Sequence, residues 1–394
     1  MRVLLLCAVV ISLAVWPRHA GDQAAAWLTA QDAAPLPPAL LEALRQDSYT
    51  YFRRVNKLWN ARACSAFTAE PLLGVRLHGD AHLEQYALTS EAHGLDDFDD
   101  SAVGPAVIDL VRFIGSLRLA AERRGWHSRT SAAIEQFMSG YRRALREPAY
   151  AAPTPQIVRR LRARVPPSPA AFLASSEARM GPVSPQLAAD AREFLPLVAA
   201  RVAPASDGYF NLKRIGGLQM GVGSYTAAKV LMRVEGPSAA SDDDVILEAR
   251  EVSDLRGAAC ITTPGDIGAV RVIAGSQQIG RLRHEVLSVI PRLSSSAPTA
   301  SEWWLRSWDR TYAEVDIADL QSARELEELA HDAGAQLGSA SVPVGRFSRT
   351  ATVRRQQLRA IARLEPRVRT VAAELTREML TAWKRFRAAF SGEP

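Results

Sequence analysis

Four carboxylates crowd into five residues, Asp96, Asp97, Asp99 and Asp100, around a single aromatic side chain, Phe98. Like charges at that spacing raise one another's pKa unless a cation or a basic side chain compensates them, so the fold must either expose this loop or bring a counter-charge to it. An acidic surface turn is the plain alternative. Against it stand the apolar Phe98 inside the loop and a second polar segment just before it, His78-Gly79-Asp80-Ala81-His82-Leu83-Glu84-Gln85, which leaves a short apolar run, Leu72–Leu77, that reads as a buried strand. Gly104-Pro105 and Asp109 follow, the latter within a helix expected from Pro105 to Gly125. Phosphoryl transfer needs one carboxylate to orient or deprotonate a hydroxyl, and further side-chain oxygens to hold Mg²⁺ against the phosphates. Asp80, the carboxamide of Gln85 and Asp97 supply those groups in that order.

The remainder of the chain divides by pattern. Residues 1–20 open with Arg2 and an apolar run, Val3–Val15, too short to span a bilayer, followed by small residues near Ala20. This is read as a signal for export, with an uncleaved anchor or a misplaced start codon as alternatives. The protein is therefore expected to be exported and periplasmic, meeting a membrane only through that signal, and cytoplasmic if the start is misplaced. Cys64 and Cys260 then remain, either paired or as two separate buried thiols. Helical periodicity is expected over Pro37–Ala63 and Thr130–Arg146. A loop-rich stretch follows over Ala151–Val183, read as the boundary between lobes and as a variable substrate-facing region. Strands are expected at Tyr209–Ile215, Ser224–Val234, Val245–Val252, Val286–Ile290 and Trp303–Trp308, and helices at Asp319–Leu337 and Val353–Phe390. The expected organisation is a helical lobe carrying the catalytic and metal loops (21–200), a small β-rich lobe with a glycine loop (201–310), and C-terminal helices completing the helical lobe (311–394). The net charge of +6 is carried almost wholly by arginine, with lysine only at Lys57, Lys213, Lys229 and Lys384. The basic runs fall on helical patterns without interleaved aromatics, so nucleic acid is not an expected partner and a small molecule is.

His78-Gly79-Asp80-x-His82, followed by Asp97-Phe98-Asp99 and by Gly104-Pro105-x-x-x-Asp109-Leu110, resembles the aminoglycoside-phosphotransferase branch of the kinase-like fold. It resembles more closely still the bacterial family known as domain of unknown function 2252, whose pattern runs Gly-Asp-Ala-His-Leu-Glu-Asn, then Asn-Asp-Phe-Asp-Glu, then Gly-Pro and Asp-Leu. The resemblance implies that Asp80 is the catalytic carboxylate and that Gln85, Asp97 and Asp99 serve the metal. Asp109 and His78 would brace the loop, and His82, grouped with Asp80 at the catalytic position, would contact phosphate or stay structural. Gln85 stands where the family has Asn, one methylene longer. In kinases the phosphate-covering glycines precede the catalytic loop. Here Gly216, Gly217, Gly221, Gly223 and Ser224 come about 140 residues after it, so the resemblance implies an α+β, two-lobed kinase-like fold in circularly permuted order. The lysine that anchors nucleotide phosphates in kinases is replaced by Arg250, and the family's acid on the next helix by Ala274. Phosphate would then be gripped by Arg250 itself, by Lys229, or by Lys213. An arginine fork is not equivalent to a lysine there.

Three functions follow. The first is transfer of a nucleotide γ-phosphate to a hydroxyl of a small molecule, with ATP and Mg²⁺ as cofactors. The second is an exported, catalytically degenerate kinase-like protein that binds a ligand or partner. The third is a metal-dependent hydrolase built on His78, Asp80 and His82 with the downstream acids.

Overall fold

The computed structural model describes residues 26–70, 72–202, 210–218, 228–238, 240–252, 258–261, 268–290, 302–342 and 351–391. The expected signal segment, Gly221, Gly223 and Ser224 lie outside these residues. The chain is a mixed α+β protein with antiparallel sheets and a helical C-terminus. Among the described residues no helix is long and apolar enough to cross a membrane.

The expected first helix is three, because polar caps and a kink interrupt it. A single turn, α1 (Ala30–Ala33), precedes α2 (Pro38–Gln46), α3 (Ser48–Arg54) and α4 (Asn56–Ala66). Asp47 caps α3 by accepting from Thr50 N, and Val55 breaks the chain between α3 and α4. Strand β1 (Gly74–Leu77) pairs antiparallel with β4 (Ala102–Pro105), so both polar segments leave one small ribbon. Between them β2 (Tyr86–Leu88) and β3 (His93–Leu95) form a hairpin. Helix α5 (Val107–Arg123) is apolar on nearly every face and runs through the core, as a helix without a polar side must.

Helix α6 (Thr130–Arg146) lies against α11 (Ala323–Ala340), with Ser322 capping the latter. Their backbones touch. A Cβ added to Gly140 would lie 2.0 Å from His331 O, and one added to Gly334 would lie 2.0 Å from Phe137 O. The long α12 (Ala351–Ser391) closes the helical core against α5.

The interlobe segment contains α7 (Gln156–Arg162), α8 (Pro169–Glu177), β5 (Met180–Gly181) and α9 (Pro185–Val202). Helix α9 is absent from the sequence expectation. Its Ala191, Phe194, Leu195 and Val198 pack on the sheet, so by packing residues 180–202 go with the β-rich lobe and not with the helical one. Pro196 sits on its solvent face, where the carbonyl it leaves without an amide partner can be hydrated.

The large sheet has the order β5-β6-β7-β8-β10-β9, built from β6 (Leu212–Leu218), β7 (Lys229–Val234), β8 (Val245–Glu251), β9 (Leu287–Val289) and β10 (Trp303–Ser307). Helix α10 (Gly268–Gln278) spans the gap to the β1–β4 ribbon. From β10 the chain crosses at residues 308–312 to β11 (Ala313–Glu314), which pairs with β2. A disulfide joins Cys64 on α4 to Cys260, ahead of α10, with a Cα–Cα distance of 5.4 Å.

Candidate active site

The turn after β1 is held from three sides. Asp109, in the first turn of α5, accepts from His78 N at 2.7 Å and from Gly79 N at 2.9 Å. Asn56 and Asn60 on α4 each donate a side-chain amide to Gly79 O, at 3.0 and 2.8 Å. Gly79 adopts φ +86°, and a Cβ there would meet Asp100 O at 1.8 Å, so only glycine allows the loop to fold back against the acids. His78 contacts Asp96 O at 2.8 Å and lies against Phe98, a bracing position.

Asp80 follows directly. One carboxylate oxygen, Oδ1, meets both Arg112 Nε at 2.9 Å and Nη2 at 2.8 Å. Arg112 is fully buried on α5, its guanidinium 3.6 Å from the centroid of the Phe52 ring. Burial pushes the Asp80 carboxyl up, and Arg112 opposes that shift. The second oxygen, Oδ2, has His82 Nε2 3.6 Å away. His82 was expected at the reaction centre, yet it does not line the cleft. Its ring is buried among Tyr49 and Phe52, neither ring nitrogen finds a hydrogen-bond partner, and burial holds it well below the ordinary histidine pKa, hence neutral.

The counter-charge demanded by the acidic loop comes from the sheet. Arg250, on β8, places Nη1 2.6 Å from Asp97 Oδ1 and 2.8 Å from Asp99 Oδ2, and its Nε 2.6 Å from Glu248 Oε1. Arg306, opposite Glu248 on β10, reaches Glu248 Oε2 at 3.0 Å and Asp96 Oδ2 at 2.9 Å. Burial alone would raise the carboxyl of Asp97, but Arg250, Lys229 and Arg306 together hold it well below the usual range. Asp99 moves the other way, raised by burial and then by Asp97 beside it. Asp97 sits in the left-handed region at φ +62°, a strained backbone that turns its side chain to the sheet. Arg271, on α10, donates to the carbonyls of Asp99 and Ser101 at 2.6 and 2.8 Å, while the acid facing Arg250 comes from its own strand, as Glu248, and not from the position of Ala274.

Lys229 is the cross-strand neighbour of Arg250. It lines the cleft, its pKa is lowered by burial and then by Arg250, and among the described residues Nζ makes no hydrogen bond or ion pair. Lys213 is not available to the cleft, since it is bound to Asp244 at 2.6 Å. Gly216 and Gly217 also depart from expectation. They lie within β6 where β5 crosses it, with a Cβ at Gly216 reaching Met180 Cβ at 2.4 Å, and they do not line the cleft. Tight strand pairing, not phosphate contact, accounts for both.

The cleft between the lobes has a volume of about 1050 Å³ and is lined by Asp80, Gln85, Asp97 and Asp99 from one side and by Lys229, Glu248, Arg250 and Arg306 from the other. Sequence reading missed Glu248, Arg306, Arg112 and the two asparagines. Glu248 and Arg250 share a strand face by their two-residue spacing, and Arg112 is a charge in an otherwise apolar helix, so each left a readable trace.

Among the described residues no three His, Cys, Asp or Glu side chains are gathered as a metal site. His78 Nε2 lies 2.8 Å from Asp96 O, and the His82 ring packs edge-on against Tyr49. No curated protein and no solved structure matches the chain. Residues 36–192, the segment that holds both polar loops and α5, match the family described as uncharacterized protein conserved in bacteria (DUF2252).

Proposed function

We propose that the protein is a kinase-like phosphotransferase in permuted order, using ATP and Mg²⁺ to phosphorylate a hydroxyl of a small molecule. One observation carries the reading. Asp97 and Asp99 aim one oxygen each at a single point, now filled by Arg250 Nη1, in the cleft that Asp80, Gln85 and Lys229 also line. Two carboxylates completed by phosphate oxygens suit Mg²⁺, which rarely takes an all-protein cage. Asp97, Asp99 and the carbonyl oxygen of Gln85 would hold the ion, which supplies charge neutralisation at the β- and γ-phosphates. Arg250 and Lys229 are the donors for those phosphates. With Oδ1 of Asp80 fixed by Arg112, Oδ2 is the oxygen left to orient an acceptor hydroxyl, and Asp109 with the two asparagines keeps it in place.

A second reading, a kinase-like binding protein without turnover, is favoured by the same contacts seen from the other side. Arg250 already neutralises the acids, and the Cys64–Cys260 disulfide suits an oxidising compartment where ATP is scarce. Thermal unfolding separates the two. Stabilisation of several degrees with ATP and Mg²⁺ together, lost in Asp97→Asn, is the expected result, because a ligand at a hundred times its Kd stabilises by about 2.7 kcal/mol. Stabilisation by ATP that ignores Mg²⁺ supports the binding protein instead, and no response to ATP sinks the transferase.

A further inference from the structure

The end of the cleft beside Asp80 carries charge of its own. Residues 53–57, around the break at Val55, all line the cleft, Arg54 and Lys57 among them. Asn56, between them, fixes this segment to the reaction loop by donating to Gly79 O at 3.0 Å and to Asp100 Oδ2 at 2.8 Å. Arg54 and Lys57 therefore line the same cleft as Asp80, on a segment tied to its loop.

The neighbouring acids already have hydrogen-bond or ion-pair partners. Asp80 is paired with Arg112, Glu84 with Arg53 at 3.0 Å, and Asp100 accepts from Asn56. Glu314, which also lines the cleft, accepts from Tyr312 OH at 3.3 Å. Among the described residues Arg54 and Lys57 have no hydrogen bond or ion pair, and the Nε of Arg54 is buried without a partner. A partly buried guanidinium with an unsatisfied N–H, next to a solvent-facing ammonium, lacks an anion.

We propose that Arg54 and Lys57 form an anion subsite, so that the acceptor is a hydroxyl-bearing carboxylate or phosphate ester whose charged group docks there while its hydroxyl meets Asp80. A cationic polyol is disfavoured by the same two side chains. The proposal rests on the phosphotransferase reading for the role of Asp80, but the subsite can be tested without turnover.

Titration calorimetry at low ionic strength on the full chain uses four probes of one skeleton: glycerol 3-phosphate, glycerate, glycerol and 2-amino-1,3-propanediol. The two anions should bind, glycerol 3-phosphate and glycerate reporting the phosphate and carboxylate arms, and the neutral and cationic probes should bind at least tenfold more weakly. Arg54→Gln with Lys57→Gln should weaken the anions about tenfold or more while leaving ATP–Mg²⁺ affinity within twofold. Lys57→Gln alone, at an exposed side chain, gives the same direction if the double variant misfolds. Anion binding that is absent, or unchanged in these variants, overturns the subsite, as does loss in Lys229→Gln only, which would put the anion at the nucleotide end. Anion binding that needs Arg54 and Lys57 in a protein that does not bind ATP upholds the subsite and refutes the phosphotransferase reading alone.

Discussion

Arg250→Met is expected to destabilise the protein by about 3–5 kcal/mol, the range for removing one partner of a buried ion pair. Arg250 is nearly inaccessible, and its guanidinium is the closest positive charge to Asp97, Asp99 and Glu248 at once. Arg306 stays behind but is already engaged with Glu248 and Asp96, and Lys229 Nζ makes no ion pair with these acids, so neither restores the lost contacts in place. The urea midpoint measures the loss. Millimolar Mg²⁺ should restore part of it in the variant, since the convergent oxygens of Asp97 and Asp99 are then open to another cation. A variant as stable as the parent means that the acidic loop is not held by this guanidinium.

Opening the disulfide is the second large effect. Cys64 and Cys260 are 196 residues apart, so their bond closes a very long loop in the unfolded chain. The chain-entropy account gives about 5 kcal/mol for such a loop, and measured losses for native disulfides run about 2–5 kcal/mol. The bond ties α4, whose Asn56 and Asn60 hold Gly79, to the segment leading into α10, whose Arg271 holds the acidic loop. Cys64→Ser with Cys260→Ser should therefore unfold at lower urea by an amount in that range, and reductant should shift the parent but not the variant. Identical curves for oxidised and reduced parent refute this.

What the sequence revealed and concealed follows from how local each contact is. The His78–Asp109 block was legible because its strand, turn, acids and helix start occur within 32 residues, each with its own residue signature. The bracing by Asp109 was implied by the family resemblance, and its two hydrogen bonds to the turn are the contacts that provide it. Pairings that cross the fold were not: Asp97 meets Arg250 only because β8 lies in the middle of a sheet whose order no local pattern reveals. His82 shows the limit most clearly. Its polarity suggested chemistry, whereas its position behind Asp80, among Tyr49 and Phe52, depends on the packing of α3. Gly216 and Gly217 looked like a phosphate loop because glycine marks any close backbone approach, here that of β5.

The central claim is that Asp97 and Asp99 form a cation position that Arg250 yields when phosphates arrive. Electron paramagnetic resonance of Mn²⁺, titrated onto the protein with a non-hydrolysable ATP analogue, tests it most directly. The account predicts bound Mn²⁺ only when the analogue is present, and its loss in Asp97→Asn. Mn²⁺ that stays free with saturating analogue, or binds equally well to the Asp97→Asn variant, contradicts it.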